Sequence, residues 1–290
     1  MEQNHKQWGV SVICRLLDVT PQGYRRWRSN QDKPYKNAIL LARMMEIINE
    51  DEENENYGYK RMYEALTYKY DFSGSESTVY RIMKQNGLLH TPKRKPLGLT
   101  KADKEAQAKD NLLKGDFTST APNEKWVTDI TQLPTKDGTL YISGIFDCYD
   151  NAIVGLTMAD NMRKELVEAS LIQAIQRYDA RNVILHGDRG SQYTSHSFKE
   201  LCIVKEVRQS MNSAGGRCHD NAKCESMWAR AKVEKFYKIK TEKLSMEVVK
   251  HLVFRYFMGY WNNRRICSAN GGLPPMVKRQ SYYEGKQLAA

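Results

Sequence analysis

The sequence predicts an α/β protein, in which an all-α region precedes a domain of three antiparallel strands followed by alternating helices and strands. In the first third of the chain, apolar residues recur at helical spacing. In the second region the pattern changes to short apolar or alternating runs, separated by turn residues such as Lys136-Asp137-Gly138. These two patterns, and the polar stretch between them, set the division of the chain.

Residues 9–29, "GVSVICRLLDVTPQGYRRWRS", predict two short helices. Thr20 is a candidate N-cap, and Pro21 suits the first position of the second helix. The second helix carries a group of basic residues, Arg25, Arg26 and Arg28. The pattern is typical of a helix-turn-helix, although a simple helical hairpin explains it equally well.

A second helix-turn-helix is predicted from "YGYKRMYEALTYKYDFSGSESTVYRIMKQNGLL". Ser73-Gly74-Ser75 supplies its turn, and Gly87 ends its second helix. Arg81 and Lys84 lie on or near one face of that helix, and the basic segment "TPKRKP" follows. Two such units favour nucleic-acid binding, so the basic residues of both are candidate DNA-binding residues.

The elements that follow alternate in type. The segments "KWVTDITQL", "TLYISGIFDCYD" and "AIVGLTM" predict three hairpin-connected strands. A helix, the strand "NVILHG", a helix, the strand "EVRQSM" and a long helix come next. We therefore divide the chain into an N-terminal helical region (1–50), a second helix-turn-helix unit (51–96), a linker (97–123), an α/β core (124–240) and a C-terminal helical extension (241–290).

Composition restricts the class of protein. The 290 residues carry a net charge of +11 and a pI near 9.2, which favours a polyanion such as double-stranded DNA as partner. The first residues show no apolar run of a signal peptide, and no stretch approaches the length of a membrane span. Six scattered cysteines indicate reduced thiols, so we expect a cytoplasmic protein.

Three acidic residues fall at related places in the α/β core. Three strands, then helix, strand, helix, strand and helix, is the element order of an RNase H-like domain. Asp129 lies within its first strand, Asp188 just past its fourth, and Glu225 one turn into the last helix. Converging carboxylates suit Mg²⁺, a hard cation that prefers oxygen ligands. Two such ions, roughly 3.5–4 Å apart, can activate an attacking oxygen and stabilise a leaving one.

The segments around these acids carry a family resemblance. "WVTDIT", "HGDRGSQYTS" and "DNAKCESMWARAKVE" resemble the W-x-T-D-I-T, H-S-D-x-G-S-Q-Y and D-N-A-x-x-E-S-F-F-x-x-L-K-x-E blocks of bacterial insertion-sequence transposases of the IS-three group. They resemble the second-frame protein of that group, which has a retroviral-integrase-type core. The helix-turn-helix segment "YGYKRMYEAL" and the C-terminal "YWNNRRICSANGGLPPM" resemble two further blocks. The resemblance therefore covers nearly the whole chain.

This resemblance implies a DDE transposase that cleaves DNA and transfers strands at the ends of an insertion sequence. Asp129, Asp188 and Glu225 would be its catalytic and metal-binding residues, with two Mg²⁺ ions that Mn²⁺ could replace. The resemblance also implies binding to terminal inverted repeats and to target DNA, a strand-circle route, a homo-oligomer on DNA, a possible first-frame partner protein and a bacterial, nucleoid-associated location.

The chain departs from the family pattern at two places. Thirty-six residues separate Asp188 from Glu225, one more than is usual, and the extra residue falls in the loop "NSAGGRC". An insertion in such a loop costs little. Cys267 stands where the family usually has His. The second departure concerns the C-terminal block and leaves the three acids unaffected.

Glu234 is the alternative to Glu225 as the third acid. Nine residues of helix advance about 900°, which puts the two glutamates on opposite faces. We expect Glu234 to be solvated. Lys232 and Asn221 fall on nearly the same face as Glu225, which makes them candidate DNA-binding residues. A helix cap is the simpler role for Asn221.

Three other side chains lie near the predicted acids. Arg189 and Gln192 could line the DNA path or only stabilise their loop. His186 is expected to be structural or to support the ligands.

Cys218, His219 and Cys224 do not have the spacing of a zinc site, since the chain has no C-x₂-C pair.

Two other function classes fit parts of the sequence. One is a non-catalytic DNA-binding regulator of transposition, or the partner of a frameshifted fusion transposase. The chain has no long leucine-zipper heptad run, so the first-frame part is expected to be absent. The other is a nuclease acting on RNA–DNA hybrids, which the helix-turn-helix units and the C-terminal block disfavour.

Overall fold

The computed structural model describes residues 9–31, 37–89, 111–212 and 220–289. The chain forms two compact units, residues 1–47 and residues 48–290. Among the described residues, no helix is both long enough and apolar enough to cross a membrane.

The first unit begins with the two predicted helices, α1 (Val10–Leu16) and α2 (Pro21–Gln31). The Thr20 hydroxyl accepts a hydrogen bond from the Gly23 N–H at 3.0 Å, which confirms Thr20 as a cap of α2. The arginines of α2 are exposed: Arg25, Arg26 and Arg28. A third helix, α3 (Ala38–Glu50), starts in this unit and ends in the next.

The second helix-turn-helix segment lies in the larger unit. A 3₁₀ turn (Glu52–Asn56) leads into α4 (Tyr59–Tyr70) and α5 (Glu76–Gln85). The Ser75 hydroxyl accepts a hydrogen bond from the Thr78 N–H and caps α5. Gly87 has a φ of +68°, the left-handed conformation that commonly ends a helix. The helices, turn and stop therefore lie where the sequence predicts them.

A five-stranded mixed sheet forms the centre of the larger unit. Its strands are β1 (Lys125–Thr135), β2 (Gly138–Asp147), β3 (Ile153–Ala159), β4 (Ile184–Gly187) and β5 (Arg208–Met211). The order across the sheet is β3-β2-β1-β4-β5. The first three strands pair antiparallel, whereas β4 pairs parallel with both β1 and β5. This arrangement confirms the predicted α/β core.

Helices cover both faces of the sheet. The helices after β3 are α6 (Lys164–Tyr178), α7 (Ser191–Thr194), α8 (His196–Val204) and α9 (Ala222–Ala231). Buried side chains of α6 and α8 pack with Trp126 and Leu185 in one core cluster. Buried side chains of α9 pack with Val127 and Phe146 in the other. The single-turn helix α7 was not predicted.

The C-terminal segment completes the core cluster around α9. It consists of α10 (Met246–Phe254), a π-helical segment (Arg255–Trp261) and α11 (Pro275–Ala289). Phe257 and Trp261 pack against Phe146 with ring centroids 6.1 Å apart in each pair. In α11, the buried Arg279 donates 2.6 Å hydrogen bonds to both Asp147 and Asp150. The segment predicted as an extension is therefore packed into the α/β unit.

Candidate active site

The two predicted aspartates lie on neighbouring strands. Asp129 is half-buried in the middle of β1, and Asp188 follows β4 directly. In the parallel pairing of these strands, Val127 stands beside His186. Continuing that register by two residues brings Asp129 beside Asp188. Glu225 lies exposed in the first turn of α9, the helix that packs over β1.

The three carboxylates share one electrostatic environment. Burial, followed by the negative charge of Asp188, raises the pKa of Asp129 to about 7. The charge of Glu225 raises it further, and that of Lys232 lowers it. The three acids are thus close enough to repel one another, and Lys232 lies within range of the same site.

A glycine of β2 permits the close approach of α9. Gly144 stands directly across from Asp129 in the β1–β2 pairing. A Cβ atom on Gly144 would come within 2.6 Å of the Trp228 ring, which α9 inserts at this point. Phe146 and Phe257 pack edge-on against that ring at 5.3 Å, so the ring has little room to move. Sequence periodicity does not reveal this requirement.

The structure gives Asn221 a role other than the predicted DNA contact. It occupies the N-cap position of α9, but its side chain makes no capping hydrogen bond. Instead the buried amide donates to the Thr128 carbonyl at 2.9 Å. Because that amide is used inside the protein, Asn221 ties the start of α9 to β1, next to Asp129. The prediction of a surface contact is therefore corrected.

His186 also supports the start of α9, through a hydrogen bond to the residue before Asn221. Nδ1 of the buried ring forms a 2.8 Å hydrogen bond with the Ser210 hydroxyl. Its Nε2 lies 2.8 Å from the carbonyl of Asp220 and 3.0 Å from Oδ1 of Asn212. Both of those groups are acceptors, so Nε2 carries the proton. Burial lowers the pKa of His186, which keeps the ring neutral. Its role is to position the residue before Asn221.

Glu234 is buried, and the expectation that it is solvated is wrong. The α-helical part of α9 ends at Ala231, and a π-helical turn (Lys232–Phe236) follows. Arg265 binds the Glu234 carboxylate with both Nε and Nη2, at 2.8 and 2.7 Å. Arg61 donates at 3.1 Å. Burial alone would raise the pKa of Glu234, but these partners lower it to about 2.

Burial distinguishes the two glutamates. Glu225 is exposed on α9, whereas Glu234 is enclosed by cationic partners from distant segments. The prediction of opposite faces assumed one continuous α-helix, whereas a π-helical turn begins at Lys232. The sequence does not reveal the pairing of Glu234 with Arg265 and Arg61, because only the fold brings these residues together.

The other predicted contact residues divide into two groups. Gln192 and Arg189 are half-buried and bind backbone carbonyls: the Gln192 amide donates to Met162 at 2.8 Å, and Arg189 Nε donates to Asn212 at 2.7 Å. By contrast, the basic residues of the helix-turn-helix are exposed on α5: Arg81 and Lys84.

A zinc site at the start of α9 has no support among the described residues. Cys218 and His219 lie outside them. Cys224 is fully buried in the core, and burial raises the pKa of its thiol well above the usual value. A buried neutral thiol is a core side chain rather than a zinc ligand.

The chemistry of the three acids fits a hard divalent cation. They offer only carboxylate oxygens, which Mg²⁺ and Mn²⁺ prefer as ligands. Their mutual repulsion, seen in the raised pKa of Asp129, is relieved by a positive ion. In the described part of the chain, no three side chains of His, Cys, Asp or Glu lie together as a preformed metal cluster.

Comparisons with known proteins match both regions of the chain. Residues 119–216 match the family model of the integrase core domain, and residues 34–96 match that of an HTH-like domain. The chain is 30% identical over 299 residues to the transposase InsF for insertion sequence IS3A of Escherichia coli K12, covering 100% of this chain and 98% of that protein. It is also 30% identical over 276 residues to an uncharacterized 31 kDa protein of insertion element IS600 of Shigella sonnei, covering 94% and 99%.

Two of the solved structures that the chain matches are catalytic core domains of integrases. The catalytic core domain of HTLV-2 integrase, in complex with magnesium, is 13% identical with a TM-score of 0.43 and covers 56% of this chain and 99% of that one. The catalytic core domain of BIV integrase is 16% identical with a TM-score of 0.42 and covers 57% and 99%.

Proposed function

This chain belongs to the family of transposases of IS3-type insertion sequences and is a polynucleotidyl transferase acting on DNA, and from that premise we propose which of its residues perform the reaction. Asp129, Asp188 and Glu225 form the catalytic, metal-binding triad. The observation that carries this assignment is their placement: Asp129 lies in β1, Asp188 directly follows the neighbouring β4, and Glu225 lies in the first turn of α9, which packs over β1. We infer that the three carboxylates act together where β1, β4 and α9 meet.

The reaction has two displacement steps at phosphorus. Water first attacks a phosphodiester at the element's end, which breaks a P–O bond and frees a 3′-OH. That hydroxyl then attacks a second phosphodiester, so one P–O bond forms as another breaks. Two bound Mg²⁺ or Mn²⁺ ions would lower the charge on the attacked phosphate and the leaving oxygen. Lys232, which lies within electrostatic range of Asp129, supplies a positive charge for the DNA backbone.

The partners follow from the same proposal. We infer that terminal inverted repeats and target DNA are bound by exposed basic residues of the helix-turn-helix segments. We also propose that a homo-oligomer assembles on DNA, that a first-frame protein is an additional partner, and that the protein works at the bacterial nucleoid. The alternative of a purely non-catalytic regulator is not favoured, because the chain matches an integrase core domain and, over its full length, a transposase.

Cleavage and joining of DNA from the two edges of the element tests this proposal. The purified chain should nick and join such DNA in Mg²⁺. Asp129→Asn should abolish both steps, whereas Asp179→Asn, an exposed aspartate at the end of α6, should leave them unchanged. Wild-type activity in Asp129→Asn would refute the assignment of the triad.

A further inference from the structure

A groove of about 650 Å³ runs between the first turn of α4 and the outer side of α9. Its walls combine basic, aromatic and small side chains: Tyr59, Lys60 and Arg61 on one side, and Ser226, Arg230 and Val233 on the other. Both walls belong to the larger unit. The proposed function does not account for this groove.

The groove is positively charged. Glu234 is the one carboxylate among its lining residues, and Arg265 and Arg61 already neutralise it. Arg230 is exposed and has no hydrogen-bond or ion-pair partner in the part of the chain that the structure describes. Partial burial of its guanidinium, followed by the charge of Arg265, lowers the pKa of Arg230, although the charge of Glu234 raises it. A phosphate beside Arg230 would offset the repulsion from Arg265.

An aromatic surface extends from the same groove. Tyr59 forms part of the wall and packs edge-on against Tyr80 of α5, with ring centroids 5.3 Å apart. The Tyr80 side chain is 40% exposed, and the candidate DNA contact Arg81 follows it. Nucleic-acid bases stack on such rings whatever their sequence, while nearby cations follow the phosphates. This combination of features is typical of single-strand binding rather than of duplex binding alone.

The groove also borders the first turn of α9, which carries Glu225. Ser226 lines it, and the residue before Ser226 is Glu225. Both side chains are exposed on α9. A strand lying in the groove would therefore pass from the first turn of α4, by Arg230, to the first turn of α9.

We propose that this groove binds a single-stranded segment of DNA between the duplex held by α4 and α5 and the catalytic carboxylates. Arg230 and Lys60 contact its phosphates, and Tyr59 and Tyr80 stack on its bases. The inference rests on the proposed function for the identity of the nucleic acid as DNA. It adds that the enzyme holds the strand unpaired before the reaction.

Binding without catalysis separates the two proposals. Fluorescence anisotropy in EDTA compares a blunt DNA duplex with the same duplex carrying a short thymidine overhang. The wild type should prefer the overhang probe. Arg230→Glu and Tyr59→Ala should each reduce that preference about tenfold, since base stacking and phosphate contacts are of that size. Affinity for the blunt duplex should change far less.

Matched variants control for charge and for folding. Arg177→Glu makes the same charge change at an exposed position of α6 outside the groove and should keep the preference. Arg230→Lys keeps the charge and should restore most of the binding. Circular dichroism confirms that each variant is folded.

Three results would overturn the inference. The first is an unchanged overhang preference in Arg230→Glu and Tyr59→Ala. The second is an equal loss of affinity for both probes in these variants. The third is a mass of the DNA-free variants in light scattering that differs from that of the DNA-free wild type. The last result would make the groove a contact between copies of the chain. A chain that lacks strand transfer but shows the predicted binding pattern would refute the proposed function and leave the groove assignment standing.

Discussion

Glu234 and Arg265 form a two-point ion pair inside the protein, with N···O distances of 2.8 and 2.7 Å. Arg61 and the hydroxyl of Tyr256 donate to the same carboxylate, at 3.1 and 3.0 Å. These four residues come from the helix-turn-helix, the segment after α9 and the C-terminal region. One buried carboxylate thus joins the helix-turn-helix segment to the end of the helix that carries Glu225.

Glu234→Gln should destabilise the protein. The change leaves Arg265 buried without a counter-charge, and removing one partner of a buried ion pair typically costs roughly 3–5 kcal/mol. Urea unfolding followed by circular dichroism measures the loss. Glu247→Gln, at an exposed site of α10, is the control and should stay within about 0.5 kcal/mol of the wild type. Equal stability of the two variants would contradict the assigned role of Glu234.

The same ion pair predicts a pH dependence. The pKa of Glu234 is lowered from 4.5 to about 2. The ionised carboxylate therefore stabilises the folded protein at any pH above the pKa that Glu234 has in the unfolded chain. That stabilisation is lost as the pH falls from 4.5 towards 2, because the unfolded chain takes up the proton first. Between pH 4.5 and pH 2, the free energy of unfolding should fall more steeply with decreasing pH for the wild type than for Glu234→Gln. Parallel curves would show that the pair is not coupled to folding.

Glu225→Gln should abolish chemistry without destabilising the fold. The substitution keeps the shape of an exposed side chain but removes the charge of one metal ligand. Loss of such a ligand should slow strand transfer roughly a thousandfold or more, equivalent to several kcal/mol of transition-state stabilisation. Rates of cleavage and joining test this, with Glu247→Gln again as control. Normal rates in Glu225→Gln would remove it from the triad.

The divalent cation should be needed for chemistry and not for DNA binding. Strand transfer should proceed in Mg²⁺ or Mn²⁺ and stop in EDTA, because the three carboxylates depend on the ion to act on phosphate. In Ca²⁺, band-shift assays should show binding with little product. Full activity in EDTA would rule out the metal-dependent mechanism.

Arg81→Ala and Lys84→Ala should weaken DNA binding and flatten its dependence on salt. Each lost phosphate contact removes counterion release and should lower the slope of log K against log salt by about 0.9. Asp129→Asn should bind nearly as well as the wild type. The reverse pattern in band-shift assays would show that α5 does not face DNA.

Gly144→Ala should destabilise the protein by pushing on Trp228, since the added Cβ would lie 2.6 Å from its ring. Overpacking of this kind typically costs about 1–3 kcal/mol. Combining it with Trp228→Phe removes the clashing atoms, so the double variant should lose less than the sum of the single losses. Gly285→Ala, where the new Cβ meets no atom within 4 Å, is the control. Additive losses would contradict the assigned contact.

Local patterns were sufficient to predict most of the fold and the three acids. Strand alternation gave β1 to β5 close to their observed bounds, and the neighbouring placement of Asp129 and Asp188 followed from the element order. The turn and caps around α5 were also predictable, because Ser75 and Gly87 act on their immediate neighbours.

What the sequence did not reveal depends on distant partners. Glu234 was expected to be solvated because its pairing with Arg61 spans 173 residues. Asn221 was expected to cap α9 or to contact DNA, and its hydrogen bond to the Thr128 carbonyl was not predictable because that acceptor lies 93 residues earlier. The π-helical turn after α9 and the clearance at Gly144 likewise depend on packing rather than on periodicity.

The anchoring of α11 bears on how the protein matures during synthesis. Asp147 and Asp150 emerge from the ribosome long before Arg279, which follows Asp147 by 132 residues. At a typical rate of about 10 residues per second, the nascent chain holds these two carboxylates without their counter-charge for roughly ten seconds. The contacts at the end of β2 and in the turn after it can be completed only when translation is nearly finished. A message cut short before Arg279 would therefore yield a protein whose catalytic unit never matures.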